Sequence, residues 1–473
     1  MLLSALLIGN ALFAKSKSNN DFVELISSAG YSKDAVSFVL RDADSDSLLI
    51  SINGNSLYNP ASVMKLITAA AAFDILSPQY QFKTEVYTDS LFTRKSGVAT
   101  DLYIRGGGDP GFTAERLWLF VMHLKHQGVR EITDRLVIDA SYFDTVTVGP
   151  GFAPDGSTRA YEAPISSLSA NFNTVAIHVA PGESVGDPIH ITPFPEFSHV
   201  KIISTAKTVK AKSSTAVTVV TEKIDDETAI AVYGSMAVGE RTRYRYRKIY
   251  ETDKYFGWVI IDLLKKNGIK FSGQLVSGTT PKNILSKKPL FIFKSEPLEK
   301  VVHSMFKYSS NFAAEMVFKS LGAEKMGSAG SWKKGQDVIR LWWKDRSIFS
   351  VVPKVSNGSG MGGGNRVSGN QVTALLSFVL KQKEYSPEYI RALSIAGVDG
   401  TVQQRFKKSK VKGIARCKTG TLNSRGVSNL AGYIFLPNKT LIFSVLVNDK
   451  KQNLLTHWKI QQRLVEKSAL LFR

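Results

Sequence analysis

Three short stretches, far apart along the chain, carry the residue types of a serine acyl-transfer site. Pro60-Ala61-Ser62-Val63-Met64-Lys65 offers a hydroxyl with an amine three positions on. Ser309-Ser310-Asn311 offers a second hydroxyl and a carboxamide, and Lys418-Thr419-Gly420-Thr421 a cation among hydroxyls. A serine hydroxyl is a weak nucleophile until a base takes its proton. A lysine is that base only when neutral, and burial plus a neighbouring cation lowers its pKa. Lys65 is the candidate base for Ser62, and Lys418 a candidate second positive charge and carboxylate grip.

No one stretch is specific alone. Ser-x-x-Lys begins at Ser62, Ser198, Ser204, Ser304, Ser331 and Ser409, and such pairs are usually surface residues with a solvated lysine. Ser62 differs in its setting. Pro60 and Ala61 precede it, and an Ala-rich apolar run from Leu66 to Leu76 follows, broken only by Thr68 and Asp74. That reads as a loop entering a buried helix, with Ser62 in the first turn. Residues three apart share a helix face, and the hydroxyl lies near the positive end of the helix dipole. Lys418-Thr419-Gly420-Thr421 occurs once, and its plainer reading is a turn at a strand end. The β-rich runs Asn429–Leu436 and Leu441–Val447 follow it, placing the motif on the first strand of an antiparallel meander. Gly420 leaves room for a ligand backbone. The N–H groups of Ser62 and Thr421 are the candidate oxyanion hole.

Taken in order, these residues resemble the low-molecular-mass class C penicillin-binding proteins, the serine-type D-alanyl-D-alanine carboxypeptidase/endopeptidase family. The resemblance spans most of the chain. It includes Tyr58-Asn59-Pro60-Ala61-Ser62, Ile104-Arg105-Gly106-Gly107-Gly108-Asp109-Pro110, Ala163-Pro164-Ile165-Ser166-Ser167-Leu168-Ser169, Asn357-Gly358-Ser359-Gly360 and Ala396-Gly397-Val398-Asp399-Gly400-Thr401. It implies that Ser62 is acylated, that Lys65 is the base and that Ser309 relays the proton to the leaving amine. Asn311 would hold the substrate amide and Lys65. Lys418, Thr419 and Thr421, with Gly420 between them, would bind the terminal carboxylate. The implied substrates are peptidoglycan stem peptides, with β-lactams as covalent inhibitors and no metal or organic cofactor. The implied fold is a mixed α/β (α+β) one, a β-lactamase/transpeptidase-like catalytic domain with an antiparallel sheet flanked by helices and a large β-rich insertion.

Three positions depart from the family pattern. Ser310 stands where the family often has Asp. Asn357 to Asn365 differs from Asp-Gly-Ser-Gly-Leu-Ser-Arg-x-Asn, lacking the acid, a serine and the arginine and carrying three consecutive glycines. Glycine loses the most backbone freedom on ordering, so a mobile loop is expected there. Cys417 precedes the cationic strand and reads as a small buried residue.

Two other readings share the three motifs: a β-lactamase or esterase, and a catalytically silent peptidoglycan-binding protein. The long middle region speaks against the first and the complete residue set against the second. Gly182-Glu183-Ser184-Val185-Gly186 matches G-x-S-x-G, but a nucleophile elbow needs a helix straight after the serine. Gly186-Asp187-Pro188 and an alternating strand follow instead. Scattered histidines and one cysteine give no zinc spacing. Asp109-Pro110 stops the glycines at 106–108 from forming a phosphate loop.

The chain has 473 residues, enough for two or three domains, and its 43% hydrophobic content is that of a globular protein. Its single cysteine forms no internal disulfide. Residues 21–85 and 289–473 are expected to fold together as the catalytic domain, since they share one site. Strands are expected at Ala35–Asp42 and Ser47–Ile52, and helices around Leu298–Gly322, Gln336–Lys344 and Leu454–Leu471. Residues 86–288 are read as an inserted region of short strands and turns, with Phe256–Lys266 its clearest helix. Leu2–Ala14 suits a signal-peptide core, too short to span a bilayer, so residues 1–14 are expected to direct secretion across the inner membrane to the periplasm and cell envelope. The net charge of +21 suits peripheral association with an anionic envelope. No reader motif supports nucleic-acid binding. Lys407, Lys408, Lys410 and Lys412 form a basic run just ahead of the cationic strand; it reads either as a solvated loop or as a steering patch. Nothing in the sequence sets the oligomeric state.

Overall fold

Long apolar runs near the carboxyl end form the centre of the sheet that carries the third motif. In the computed structural model, which describes residues 19–89, 91–152, 157–195, 199–224, 227–327 and 329–472, this sheet has six strands. They are β1 (Val36–Asp42), β2 (Leu48–Ile52), β3 (Ser394–Ile395), β4 (Ala415–Leu422), β5 (Val427–Leu436) and β6 (Lys439–Asn448). All pair antiparallel, in the order β3-β4-β5-β6-β1-β2. β5 and β6 are buried almost throughout, because helices cover both faces and leave no polar side for alternation to mark.

The helices are α1 (residues 19–28), α2 (Met64–Leu76), α3 (Leu298–Lys307), α4 (Asn311–Met326), α5 (Trp332–Asp345), α6 (Gly369–Leu380), α7 (Ser386–Ala392) and α8 (Leu454–Leu471). Phe22 and Ile26 of α1 pack with Ile460, Leu464 and Val465 of α8 against Phe38, Leu430, Phe443 and Val445 of the sheet. On α6, Leu376 accepts a hydrogen bond from Tyr433 Oη at 2.8 Å. The long helix expected around Leu298–Gly322 is two helices, α3 and α4, broken at Ser309, whose φ is +56°. α6 and α7 were not anticipated. The leader expected over residues 1–14 lies outside the described residues.

The chain divides into two compact units. One holds the chain up to Tyr80, Leu298–Lys325 and Trp332 onward; the other holds Gln81–Pro297 and Met326–Ser331. The divisions thus fall away from the 85/86 and 288/289 junctions read from sequence. The reason is pairing: Lys83–Thr88 joins both Val98–Arg105 and Phe291–Lys294, so the first chain crossing precedes that sheet's strands and the second follows them. The second unit is also more helical than its sequence reading. Besides Thr252–Lys266 it contains Ala114–His126, which buries Leu117, Phe120, Val121 and Leu124 at helical spacing. Its strands form a six-stranded mixed sheet and two smaller sheets. Among the described residues, no helix is long and apolar enough to cross a membrane, and no cluster of side chains is arranged to hold a metal ion.

Candidate active site

Ser62 sits in a single 3-10 turn, Ala61–Val63, that leads directly into α2. The sequence placed it in the first turn of the α-helix; the tighter turn precedes that helix. Ala61 has φ +43°, a left-handed backbone that costs an alanine about 1–2 kcal/mol. α2 is apolar on nearly every face and buried accordingly, and Lys65 lies within that buried stretch, fully excluded from solvent. Its Nζ is 2.8 Å from Ser62 Oγ, 2.7 Å from Asn311 Oδ1 and 2.9 Å from the carbonyl of Ser359. Burial, then the Lys418 cation, push the Lys65 pKa well below the usual lysine range, against a smaller opposing pull from Glu315. The two oxygens at Asn311 and Ser359 only accept. A neutral amine therefore gives them its two protons and keeps its lone pair for the Ser62 O–H.

The second motif occupies the break between α3 and α4. Ser310 Oγ accepts from the Ala313 N–H at 3.2 Å, capping α4. Serine and aspartate are both good caps, which accounts for the departure at this position. Asn311 is the first residue of α4, and its Nδ2 lies 3.9 Å from Met361 Sδ. One turn further on, Glu315 is fully buried. Its carboxylate accepts from the Gly358 N–H (3.0 Å), the Ser359 N–H (2.8 Å) and Trp332 Nε1 (2.9 Å). It thereby fixes the carbonyl of Ser359 under Lys65. The sequence reading missed Glu315; its spacing of four from Asn311 was the available signal.

The loop from Asn357 to Asn365 is tied down at several points. Asn357 Oδ1 accepts from the Gly360 N–H and from Asn365 Nδ2, while its Nδ2 donates to the Met361 carbonyl at 2.9 Å. An aspartate makes the first two bonds and not the third. Asn59 Nδ2 donates to the Gly362 carbonyl at 3.0 Å. Gly360 has φ +85°, and a Cβ there would lie 1.8 Å from the Ala61 carbonyl, so only glycine lets the loop meet the nucleophile turn.

β4 supplies the remaining residues. Lys418 is fully buried; its Nζ donates to Ser309 Oγ and to the Thr419 carbonyl, each at 2.8 Å. Burial brings its pKa down to about 7. A Cβ on Gly420 would stand 2.6 Å from the Pro60 carbonyl and 3.0 Å from the Ser62 nitrogen, so β4 runs directly past the nucleophile turn. Thr419 is buried and Thr421 exposed. Ser62, Lys65, Ser309, Asn311, Lys418, Thr419, Gly420 and Thr421 therefore surround one place, with Lys418 near enough for its charge to be felt at Lys65.

Cys417 is buried in the sheet core and its thiol is pushed up to about 12 by burial. Glu183 and its neighbours join the antiparallel strands Thr174–Ala180 and His190–Phe194, so G-x-S-x-G is a hairpin loop. Lys407, Lys408, Lys410 and Lys412 are exposed ahead of β4.

A helix-flanked antiparallel sheet with a Ser-Lys pair at the head of a buried helix is the β-lactamase/transpeptidase-like serine-enzyme architecture. The crystal structure of penicillin binding protein 4 (dacB) from Haemophilus influenzae has this fold too, matching with a TM-score of 0.82 over 95% of this chain and 99% of that one at 21% identity. Residues 22–467 match the family described as the D-Ala-D-Ala carboxypeptidase 3 (S13) family, and the chain belongs to it. A D-alanyl-D-alanine carboxypeptidase of Actinomadura sp. is 30% identical over 421 residues, 87% of this chain and 77% of that protein. The D-alanyl-D-alanine carboxypeptidase DacB of Haemophilus influenzae is 24% identical over 409 residues, 84% and 82% of the two chains. The protein is accordingly a serine peptidase.

Proposed function

We propose that this enzyme removes the terminal D-alanine from peptidoglycan stem peptides through an acyl-enzyme on Ser62, and that β-lactams occupy the same serine. The observation that carries the reading is the buried Lys65 amine, 2.8 Å from the Ser62 hydroxyl with two pure acceptors on its other side. Lys65 takes the Ser62 proton as Oγ bonds to the peptide carbonyl carbon. The oxygen gathers charge opposite the Ser62 and Thr421 N–H groups. The C–N bond breaks, and the leaving amine receives a proton through Ser309, which Lys418 holds by a hydrogen bond. Water then hydrolyses the ester. Asn311 orients the substrate amide, and Lys418, Thr419 and Thr421 hold the terminal carboxylate. A cross-link between stem peptides presents the same scissile bond, which brings endopeptidase cleavage into the same chemistry. The basic surface and the sequence of residues 1–14 support a periplasmic, envelope-associated location. The test is D-alanine release from a pentapeptide ending in D-Ala-D-Ala. Release that penicillin stops, with penicilloyl mass on the Ser62 peptide, supports the reading; rapid catalytic penicillin turnover without D-alanine release overturns it.

Acid-base behaviour gives a second expectation. Free Lys418, at about 7, loses its charge as pH rises. kcat/KM is expected to fall roughly tenfold per pH unit above about 7, since it reports groups of the free enzyme. A bound carboxylate raises the Lys418 pKa, so kcat holds to higher pH. In Lys418→Arg the charge persists, and pH profiles of kcat/KM should lose this limb. Its survival in that variant would assign the limb elsewhere.

Most of the positive excess lies in the unit that carries the site. If Lys407, Lys408, Lys410 and Lys412 steer anionic stem peptides, replacing all four by Gln should lower kcat/KM at low salt and flatten its dependence on ionic strength. An unchanged salt slope leaves them a solvated loop.

A further inference from the structure

β3 is two residues long and meets β4 only at Ser394 opposite Cys417 and Ile395 opposite Arg416. Past Cys417, the outer edge of β4 has no strand partner among the described residues. Ala415 faces this edge, because its carbonyl accepts the Ala396 N–H at 3.0 Å. Alternation along an antiparallel strand then turns the backbone groups of Thr419 and Thr421 the same way. An open edge of this kind takes an extended peptide as one more strand. The nucleophile turn meets β4 at Gly420; with the Thr421 N–H as oxyanion donor and Thr419 as carboxylate ligand, the scissile carbonyl lies at the Thr421 end and the leaving residue toward Thr419.

Beyond Thr419 the edge is closed by the turn through Asp399, Gly400 and Thr401. Thr419 Oγ1 donates to Thr401 Oγ1 at 2.8 Å, and Thr401 is itself exposed. The turn is pinned from below. Lys307 Nζ, buried at the end of α3, is 2.6 Å from Asp399 Oδ2 and 2.7 Å from the Leu393 carbonyl. Asp399 Oδ1 accepts the Ile395 N–H at 2.7 Å. The lysine of Ser304-x-x-Lys307 is thus spent on an ion pair, two residues ahead of Ser309.

We propose that this pinned turn ends the leaving-group side of the cleft, and that Thr401 is a positioning residue that, through Thr419, selects peptides with a free terminal carboxylate. The inference rests on the reading of Ser62 as nucleophile and Thr419 as carboxylate ligand. When a carboxylate arrives, both hydroxyls rotate: Thr419 donates to the carboxylate and accepts from Thr401. Hydrogen-bonded hydroxyls strengthen one another in such a chain. A peptide that continues through the leaving residue's own carboxyl group has no charge to reward this arrangement and meets the turn. The enzyme therefore favours substrates whose leaving residue keeps a free carboxylate beside the scissile amide.

The test compares D-Ala-D-Ala pentapeptide as the free acid and as its C-terminal amide, and a cross-linked muropeptide dimer. Thr401→Val is expected to lower the free-acid to amide ratio of kcat/KM by about tenfold, the scale of one hydrogen bond to a charged group. The loss should appear in KM for the acid, and Thr401→Ser should restore it. Asp399→Asn, which loosens the turn, should raise cleavage of the dimer relative to the free acid. An unchanged ratio in Thr401→Val, or a loss that falls equally on acid and amide, overturns the inference while wild-type D-alanine release and penicillin adduct still stand. Absence of both in the wild type instead overturns the reading beneath it.

Discussion

Ser62→Ala is expected to yield no penicillin adduct by intact mass, where the unaltered protein gains one penicilloyl group. D-alanine release should fall by about 10^6-fold, the scale of removing a serine nucleophile from an enzyme whose binding groups remain. The fold should survive, because Ser62 is only partly buried and its neighbours hold the turn through backbone contacts. Two outcomes sink the assignment: an adduct on both proteins, or on neither. A scaffold that only bound wall fragments would bind them equally with either residue and release no D-alanine in either case.

Lys65→Met should separate activity from stability. Without the amine nothing takes the Ser62 proton, and acylation should slow by at least about 10^3-fold, within the range of general-base contributions. Stability moves the other way. The folded-state pKa of Lys65 lies below that of the unfolded chain. Between those two values the unfolded chain binds more protons, so this group favours folding more as pH rises. At neutral pH the native protein carries the cost of stripping a lysine of its charge and its water. Methionine removes that cost, although Ser359 and Asn311 lose a donor, about 1–3 kcal/mol each if left unsatisfied. Denaturant titrations of the two proteins should show the gain of the Met variant narrowing as pH rises toward the ordinary lysine value. A gain that stayed flat toward about pH 10 would mean that Lys65 is buried as an ammonium.

Much of the site was legible because its chemistry is local in sequence. The Ser62-to-Lys65 spacing is one helical turn, and Lys418 to Thr421 sits in a β-rich context that propensity recognises. The strands at Val36–Asp42 and Leu48–Ile52 and the helix at Leu454–Leu471 follow from the same patterning. The supports were not legible. Glu315, Asp399 and Lys307 act by reaching segments tens of residues away, and the only local marks they carry are the spacing of Glu315 from Asn311 and the setting of Asp399 in Ala396–Thr401. The break at Ser309 was hidden because a left-handed serine leaves no mark in composition. Ala114–His126 was overlooked although its apolar spacing is regular; surrounding strand-like segments outweighed it. The glycine-rich loop illustrates the opposite error. Its composition suggested mobility, yet Asn357, Asn59 and Arg366 bind its backbone.

The nucleophile turn is gripped from two sides, by Gly360 and by Gly420, both of which follow it by hundreds of residues. A ribosome therefore releases Ser62 long before it makes either clamp or the buried cation. During synthesis the young polypeptide is a harmless passenger with an ordinary alcohol, and its appetite for acyl groups awakens only when the closing hairpin docks. Truncation before β4, by a stop codon or a protease, leaves a fragment that no β-lactam would label.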